Sequence, residues 1–213
     1  MEFISKELDT YVCEHTSKEP LALHDLNRQT HLKVAKPRMI SGHFQGRVLS
    51  MFSKMIQPKY ILEIGTYTGY SALCLAEGLQ KDGKLFTIDN NPEQEAFVQT
   101  HFNASPIAAQ LFPLLGDALT LIPTLNYPWD IVFIDADKPN YLNYYKAVID
   151  QMNSGAYIFA DNILWSGKVL AEVKANDAHT QTILDFNTFI QNDDRVENVL
   201  FPIRDGVMVI RKK

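Results

Sequence analysis

Five short apolar runs, each followed by a helix-like or polar segment, constrain the fold of this chain more than any other feature. They are YILEI (60–64), KLFTID (84–89), AQLFPLL (109–115), DIVFID (130–135) and AYIFAD (156–161). Strands buried on both faces read as continuous apolar runs, and parallel neighbours need a crossover between them. The alternation therefore predicts βαβ units in a mostly parallel sheet, an α/β fold.

Other segments fill in the rest. Residues 2–15 and 19–31 read as two helices. A third has Phe44, Val48, Met51, Phe52 and Met55 at helical spacing after Ser41, a residue type that caps helix N-termini. Beyond Pro139, Leu142, Tyr145, Ile149 and Met152 form one stripe, with the proline suited to a first turn. A helix over 178–192 precedes RVENVLFPI and GVMVIRK, read as two closing strands joined at Arg204-Asp205-Gly206. No repeat, low-complexity tract or linker-like stretch interrupts the chain. One domain over 1–213 is expected, with N-terminal helices to residue 57 and an α/β core from 58.

Composition narrows the partners. A formal charge of -5 gives no general attraction to nucleic acid or anionic membrane, and Lys33, Lys36, Arg38 and Arg47 read as a small basic surface. Cys13 and Cys74 are far apart, which suggests neither a disulfide framework nor a thiolate metal site. The N-terminus has no basic region followed by an apolar one, and no run reaches about 18 apolar residues. The expectation is a soluble, cytoplasmic protein.

Ligands of open α/β sheets bind outside the carboxyl ends of the strands, and here those ends are polar. The first strand leads into Glu63-Ile-Gly65-Thr-Tyr-Thr-Gly69-Tyr-Ser71, a glycine-bearing turn that opens a helix but lacks the full dinucleotide spacing. Asp89 ends the second strand, where a carboxylate can accept hydrogen bonds from ribose hydroxyls; a helix cap is the alternative. If the strands ending at Asp135 and Asp161 are neighbours, two carboxylates converge. With the amide oxygen of Asn162 they make an all-oxygen set suited to Mg²⁺. The alternative keeps Asp137 and Asp161 as caps and Asp135 as an ion-pair partner of Lys138.

Taken in order, EIGTYTGYSAL, FTIDNNPE, GDAL, WDIVFIDADKPNYLNYYKAVI, GAYIFADNILWSGKV and IRDGVMVIRK make the chain, over about residues 36–213, resemble the cation-dependent class I O-methyltransferases that use S-adenosylmethionine. That group includes the catechol and caffeoyl-CoA enzymes. The resemblance implies a Rossmann-like fold with a seven-stranded sheet. It also implies cofactor contacts from Glu63, Gly65, Ser71 and Asp89, with Met39 and Ser41 over the cofactor, Ala118 beside its adenine and Asp135 facing it. Asp135, Asp161 and Asn162 match the family's metal ligands and Lys138 its catalytic lysine, so Asp135 and Lys138 carry the catalytic expectation; Trp165 is expected to wall the acceptor pocket, with a structural indole as the alternative. The segment from 167 to 178 follows no assignable pattern, and the six histidines match no catalytic position.

The implied activity is metal-dependent methylation of a hydroxyl on a catechol-like small molecule, such as a hydroxycinnamoyl compound or flavonoid. The same chemistry on a hydroxylated uridine in tRNA is an alternative, against which the acidic charge weighs. A non-catalytic cofactor-binding protein is another, and the Asp135, Lys138, Asp161 and Asn162 set argues against it. A homodimer is the expected assembly.

Overall fold

The strand order across the sheet is β3-β2-β1-β4-β5-β7-β6. In a computed structural model that describes residues 4–173 and 176–213, the chain runs α1 (Lys6–Glu14), α2 (Leu21–Lys33), α3 (Gly42–Ile56), β1 (Tyr60–Ile64), α4 (Tyr70–Ala76), β2 (Lys84–Asp89), α5 (Glu95–Asn103) and β3 (Leu111–Leu115). It continues as α6 (Ala118–Leu121), β4 (Ile131–Ile134), α7 (Tyr141–Ile149), β5 (Tyr157–Asp161), α8 (Ala178–Gln191), β6 (Val196–Phe201) and β7 (Val207–Lys212). All five expected strands form within two residues of their expected bounds, and both closing strands follow. The opening residues of the expected first helix, and 174 and 175 of the unassigned segment, lie outside the described residues. Two compact units partition the chain, Ile4–Asp117 and Ala118–Lys213.

Within Ile4–Asp117, β1, β2 and β3 are parallel neighbours, and Ile61, Leu62 and Ile64 of β1 are buried. Glu63 sits among them with 0% exposure; it accepts a hydrogen bond from Thr87, its register partner on β2, and Thr87 in turn meets Thr66. A carboxylate taken this far from water is tolerable only with such partners.

The third helix buries a different face from the one expected. Met51 and Met55 are 58% and 73% exposed, whereas Gln45, Gly46, Leu49, Ser50 and Ser53 are buried. Small residues decide this. A Cβ on Gly46 would lie 2.7 Å from Tyr70 Cε1, and Ser53 Oγ donates to the carbonyl of Leu75 at 2.5 Å. Arg47 and Lys54 reach Glu77 at 2.5 and 2.7 Å, with Ser50 on the same carboxylate. The close approach to α4 is worth more than burying the methionines. Ser41 stands at the N-cap position but makes no capping hydrogen bond to the helix.

Within Ala118–Lys213, β4 and β5 are parallel, with Ile134 opposite Ala160, and β7 runs antiparallel to both β5 and β6. Ile131, Val132, Phe133 and Ile134 are all fully buried, which explains the unbroken apolar run; each contributes about 1.5–3 kcal/mol of burial. Tyr145 and Ile149 of the expected stripe pack inward on α7 and Leu142 is half-buried, while Met152 is buried just past the helix end. Pro139 lies in a short 3₁₀ turn, Lys138–Asn140, that enters α7. The Arg204–Gly206 turn does more than close a hairpin. Asp205 accepts from the backbone of Leu164 and Ser166, and Gly206, at φ 87°, leaves no room for a Cβ beside Leu164 Cγ at 2.5 Å.

Candidate active site

The turn after β1 is built from left-handed residues: Gly65, Tyr67 and Gly69 have φ of 103°, 48° and 83°. Gly69 is also required sterically, since a Cβ there would lie 2.6 Å from Phe102 Cε1. Asp89, at the carboxyl end of β2, holds this turn through Oδ2, which accepts from the N–H of Tyr67 at 2.8 Å, while Oδ1 accepts from Asn91 at 2.9 Å. The helical cap in this stretch is Asn91, which accepts from Glu93, so capping does not account for Asp89. The hydroxyl of Tyr67 donates to the carbonyls of Ala35 and Lys36 at 3.1 and 3.2 Å. It thereby ties the turn to the segment carrying Met39, which is exposed, and Ser41, which is buried. Ser71, on the first turn of α4, is buried. Ala118 is buried at the start of α6.

The second cluster forms where β4 and β5 end side by side. Lys138 is only 6% exposed, and its ammonium donates to Asn162 Oδ1 at 3.0 Å and to the hydroxyl of Tyr141. Asp135 Oδ1 stands 3.6 Å away as a charge partner, so the ion pair of the alternative reading is present. Asp161 Oδ1 accepts from the N–H of Asn162 at 2.7 Å, and Asn162 takes the left-handed conformation, φ 59°, that asparagine tolerates. Asp137 accepts from Asn140 and Tyr144. Burial pushes the Lys138 amine below the usual lysine range, against Asp135, Asp161 and Asp205, which hold it up. Burial likewise raises Asp135, opposed by Lys138 and Arg204.

Beyond Asn162 the chain is bent, with Trp165, Ser166 and Gly167 at φ 49°, 54° and 77°. Trp165 stacks on His179 with centroids 6.2 Å apart, and Lys138 and Lys168 each stand 5.9 Å from its ring. Its indole N–H is buried and has no hydrogen-bond partner among the described residues.

The family model described as O-methyltransferase matches residues 13–213. The chain belongs to the O-methyltransferase family. As a member it is an enzyme that transfers a methyl group to oxygen. This O-methyltransferase is 33% identical to caffeoyl-CoA O-methyltransferase 2 of Eucalyptus globulus, over 98% of this chain and 89% of that one. It is 31% identical to caffeoyl-CoA O-methyltransferase 1 of Arabidopsis thaliana, over 98% and 85%. Among solved structures, the SAH-bound methyltransferase of Podospora anserina superposes with a TM-score of 0.90 at 25% identity, covering 100% of this chain and 98% of that one. TomG, the O-methyltransferase of Streptomyces achromogenes in complex with SAM, gives 0.88 at 27%, covering 97% and 96%.

Asp89 and the glycine turn offer a carboxylate and closely approachable backbone, a donor and acceptor set that suits the polar groups of a nucleoside. At the ends of β4 and β5, oxygens of Asp135 and Asn162 already lie around one positive charge, the Lys138 ammonium, whose surroundings also include the charge of Asp161. Arg204 also acts on Asp135, so the carboxylates are only partly offset by Lys138 alone. Among the described residues no three His, Cys, Asp or Glu cluster as a metal site, so an ion here would take Asp135, Asp161 and an amide oxygen from Asn162. That all-oxygen set suits a hard cation such as Mg²⁺.

Sequence reasoning did not single out Tyr67, Tyr141, His179 or Asp205. Tyr67 acts on Asp89 through its backbone, which no side-chain pattern reveals. Tyr141 lay inside FIDADKPNY, and its spacing of three from Lys138 was the available signal. The contacts of His179 and Asp205 come from distant segments. Among the described residues, no helix is long and apolar enough to cross a membrane.

Proposed function

We propose that this O-methyltransferase moves the methyl group of S-adenosylmethionine to one hydroxyl of a catechol-like small molecule, with a divalent cation required. The observation that carries the reading is Lys138, a buried amine held between Asn162 and Asp135 at the ends of two neighbouring strands. Relatives and neighbours support it: those at 31–33% identity are named for caffeoyl-CoA, and one neighbour is a complex with SAM.

In this reading the glycine turn and Asp89 take the donor, with Glu63, Ser71, Met39, Ser41 and Ala118 around it. The Lys138 cluster takes the acceptor. Burial favours the neutral form of Lys138, which accepts the phenolic proton at Nζ. The freed oxygen attacks the methyl carbon, a C–O bond forms, the C–S bond breaks, and its electron pair stays on sulfur as a neutral thioether. Asp135, Asp161 and Asn162 would hold the cation, which when bound lowers the pKa of a coordinated hydroxyl from the phenolic value of about 10.

The test is a rate comparison between a catechol and its monophenol analogue, with Mg²⁺ and after chelation. The catechol should react much faster, and chelation should abolish turnover. Lys138→Met should lower kcat by about 10²–10⁴-fold, the usual range for acid–base catalysis. Equal rates on both acceptors, or full activity after exhaustive chelation, would sink the chelating-diol reading.

A further inference from the structure

We infer that Tyr141 is the positioning residue for Lys138: its hydroxyl, anchored on the backbone at the end of β5, fixes the amine so that one of its three positions is left for the acceptor. The assignment rests on the reading of Lys138 as the group that takes the proton. Tyr141 is fully buried, its ring edge-on to Phe186 with centroids 5.6 Å apart. Its hydroxyl donates to the carbonyl of Asp161 at 2.9 Å, with the carbonyl of Ile134 at 3.4 Å. The single phenolic proton is therefore committed to the strand ends, and the oxygen faces Lys138 as an acceptor. A lysine has a flexible four-carbon stem and three donors. Tyr141 takes one and Asn162 a second, at 3.0 Å. Asp135, at 3.6 Å, is a charge partner beyond hydrogen-bond range, so the third position is not spent. Without the hydroxyl the amine is free to close on Asp135 and turn from the acceptor.

The ring of Tyr141 also lies 4.4 Å from the amine, centroid to nitrogen, so Tyr141→Phe removes the hydroxyl alone and keeps the packing. The experiment is a double-mutant cycle of Tyr141→Phe and Lys138→Met, with kcat, acceptor KM, calorimetric cofactor affinity and a thermal melt for each. Tyr141→Phe should lower kcat by about 10–100-fold, the cost of roughly an ångström of misplacement, with KM and cofactor affinity near wild type. In the Lys138→Met background it should cost nothing further. Tyr144→Phe, which removes a hydroxyl bonded to Asp137 on the same helix, should leave kcat unchanged. An impaired Lys138→Met with a multiplicative double variant overturns the assignment of Tyr141 alone. Wild-type kcat in Lys138→Met overturns the reading of Lys138 and this assignment with it. Should Tyr141→Phe fail to fold, ¹H–¹⁵N spectra of the wild-type lysine amines decide: a protected signal lost in Lys138→Met supports the assignment, and its absence overturns it.

Discussion

Asp89 serves two backbone partners with one carboxylate, Oδ2 fastening the glycine turn through Tyr67 and Oδ1 accepting from Asn91, and in the proposed reading its remaining acceptor capacity goes to a ribose. Replacing it by alanine removes both. Asp89→Ala should weaken S-adenosylmethionine binding by about 1.5–3 kcal/mol, or roughly 10–100-fold, on the scale of a lost charge-assisted hydrogen bond. Titration calorimetry on the folded variant checks this, and an unchanged affinity would assign the ribose to another residue. Asp89 was legible in the sequence because residue type, strand end and distance from the turn all pointed the same way. Tyr67 was not, because its contribution to Asp89 is a backbone N–H whose direction depends on a φ of 48°. Asp135, Lys138, Asp161 and Asn162 were legible as a group once two apolar runs were read as neighbouring strands, which the parallel pairing of β4 and β5 provides. The precise partners of Lys138 were not, since they depend on side-chain directions that spacing alone leaves open.

At the scale of elements, strands were read well because their apolar runs reflect burial on both faces, whereas α3 was misread because its packing is governed by what is absent from its side chains. The same principle governs the approach of Gly78, just past α4, to the end of α3. A Cβ there would lie 2.1 Å from the carbonyl carbon of Ser53 and 2.4 Å from Lys54 N, both backbone atoms that cannot rotate aside. Gly78→Ala should destabilise by at least the roughly 1–3 kcal/mol typical of overpacking. Gly42→Ala, with nothing within 4 Å but φ at 75°, should cost about 1–2 kcal/mol from backbone strain alone. Urea midpoints that rank the two in the opposite order would refute the close contact. Glu77 links the same helices. Burial raises its carboxyl pKa, but hydrogen bonds from Arg47, Lys54 and Ser50 outweigh that and leave it below the usual value. A depressed folded-state pKa means stability that is present above the unfolded value, about 4.3, and lost as pH falls through the folded one. Wild type should therefore lose more stability than Glu77→Gln on acidification below about pH 5, read from urea midpoints across that range.

For the whole molecule, the succession of βαβ units was legible from residue 59 onward, but the order of the last strands was not, since β7 inserts between β5 and β6 and nothing local in either sequence specifies that exchange. Global stability is where the proposed cation can be tested without turnover. Asp135 and Asp161 bring two carboxylates to the ends of neighbouring strands, a set of oxygens that a bound divalent cation would draw together. A ligand that binds only the folded state stabilises it by mass action, about 2.7 kcal/mol at 100 times its Kd. For a chain of this size that corresponds to a rise of roughly 5–10 °C in Tm. Mg²⁺ should therefore raise the melting temperature of wild type at constant ionic strength, where NaCl does not. Asp161→Asn should abolish the rise. Asp135→Asn should abolish it too while lowering the melting temperature of the metal-free protein, because it leaves the buried Lys138 without its charge partner; it should also be inactive. Calorimetric melts with and without Mg²⁺ measure all three effects. An equal Mg²⁺ shift in wild type and Asp161→Asn would place any bound ion elsewhere and remove the structural basis for metal dependence at this site.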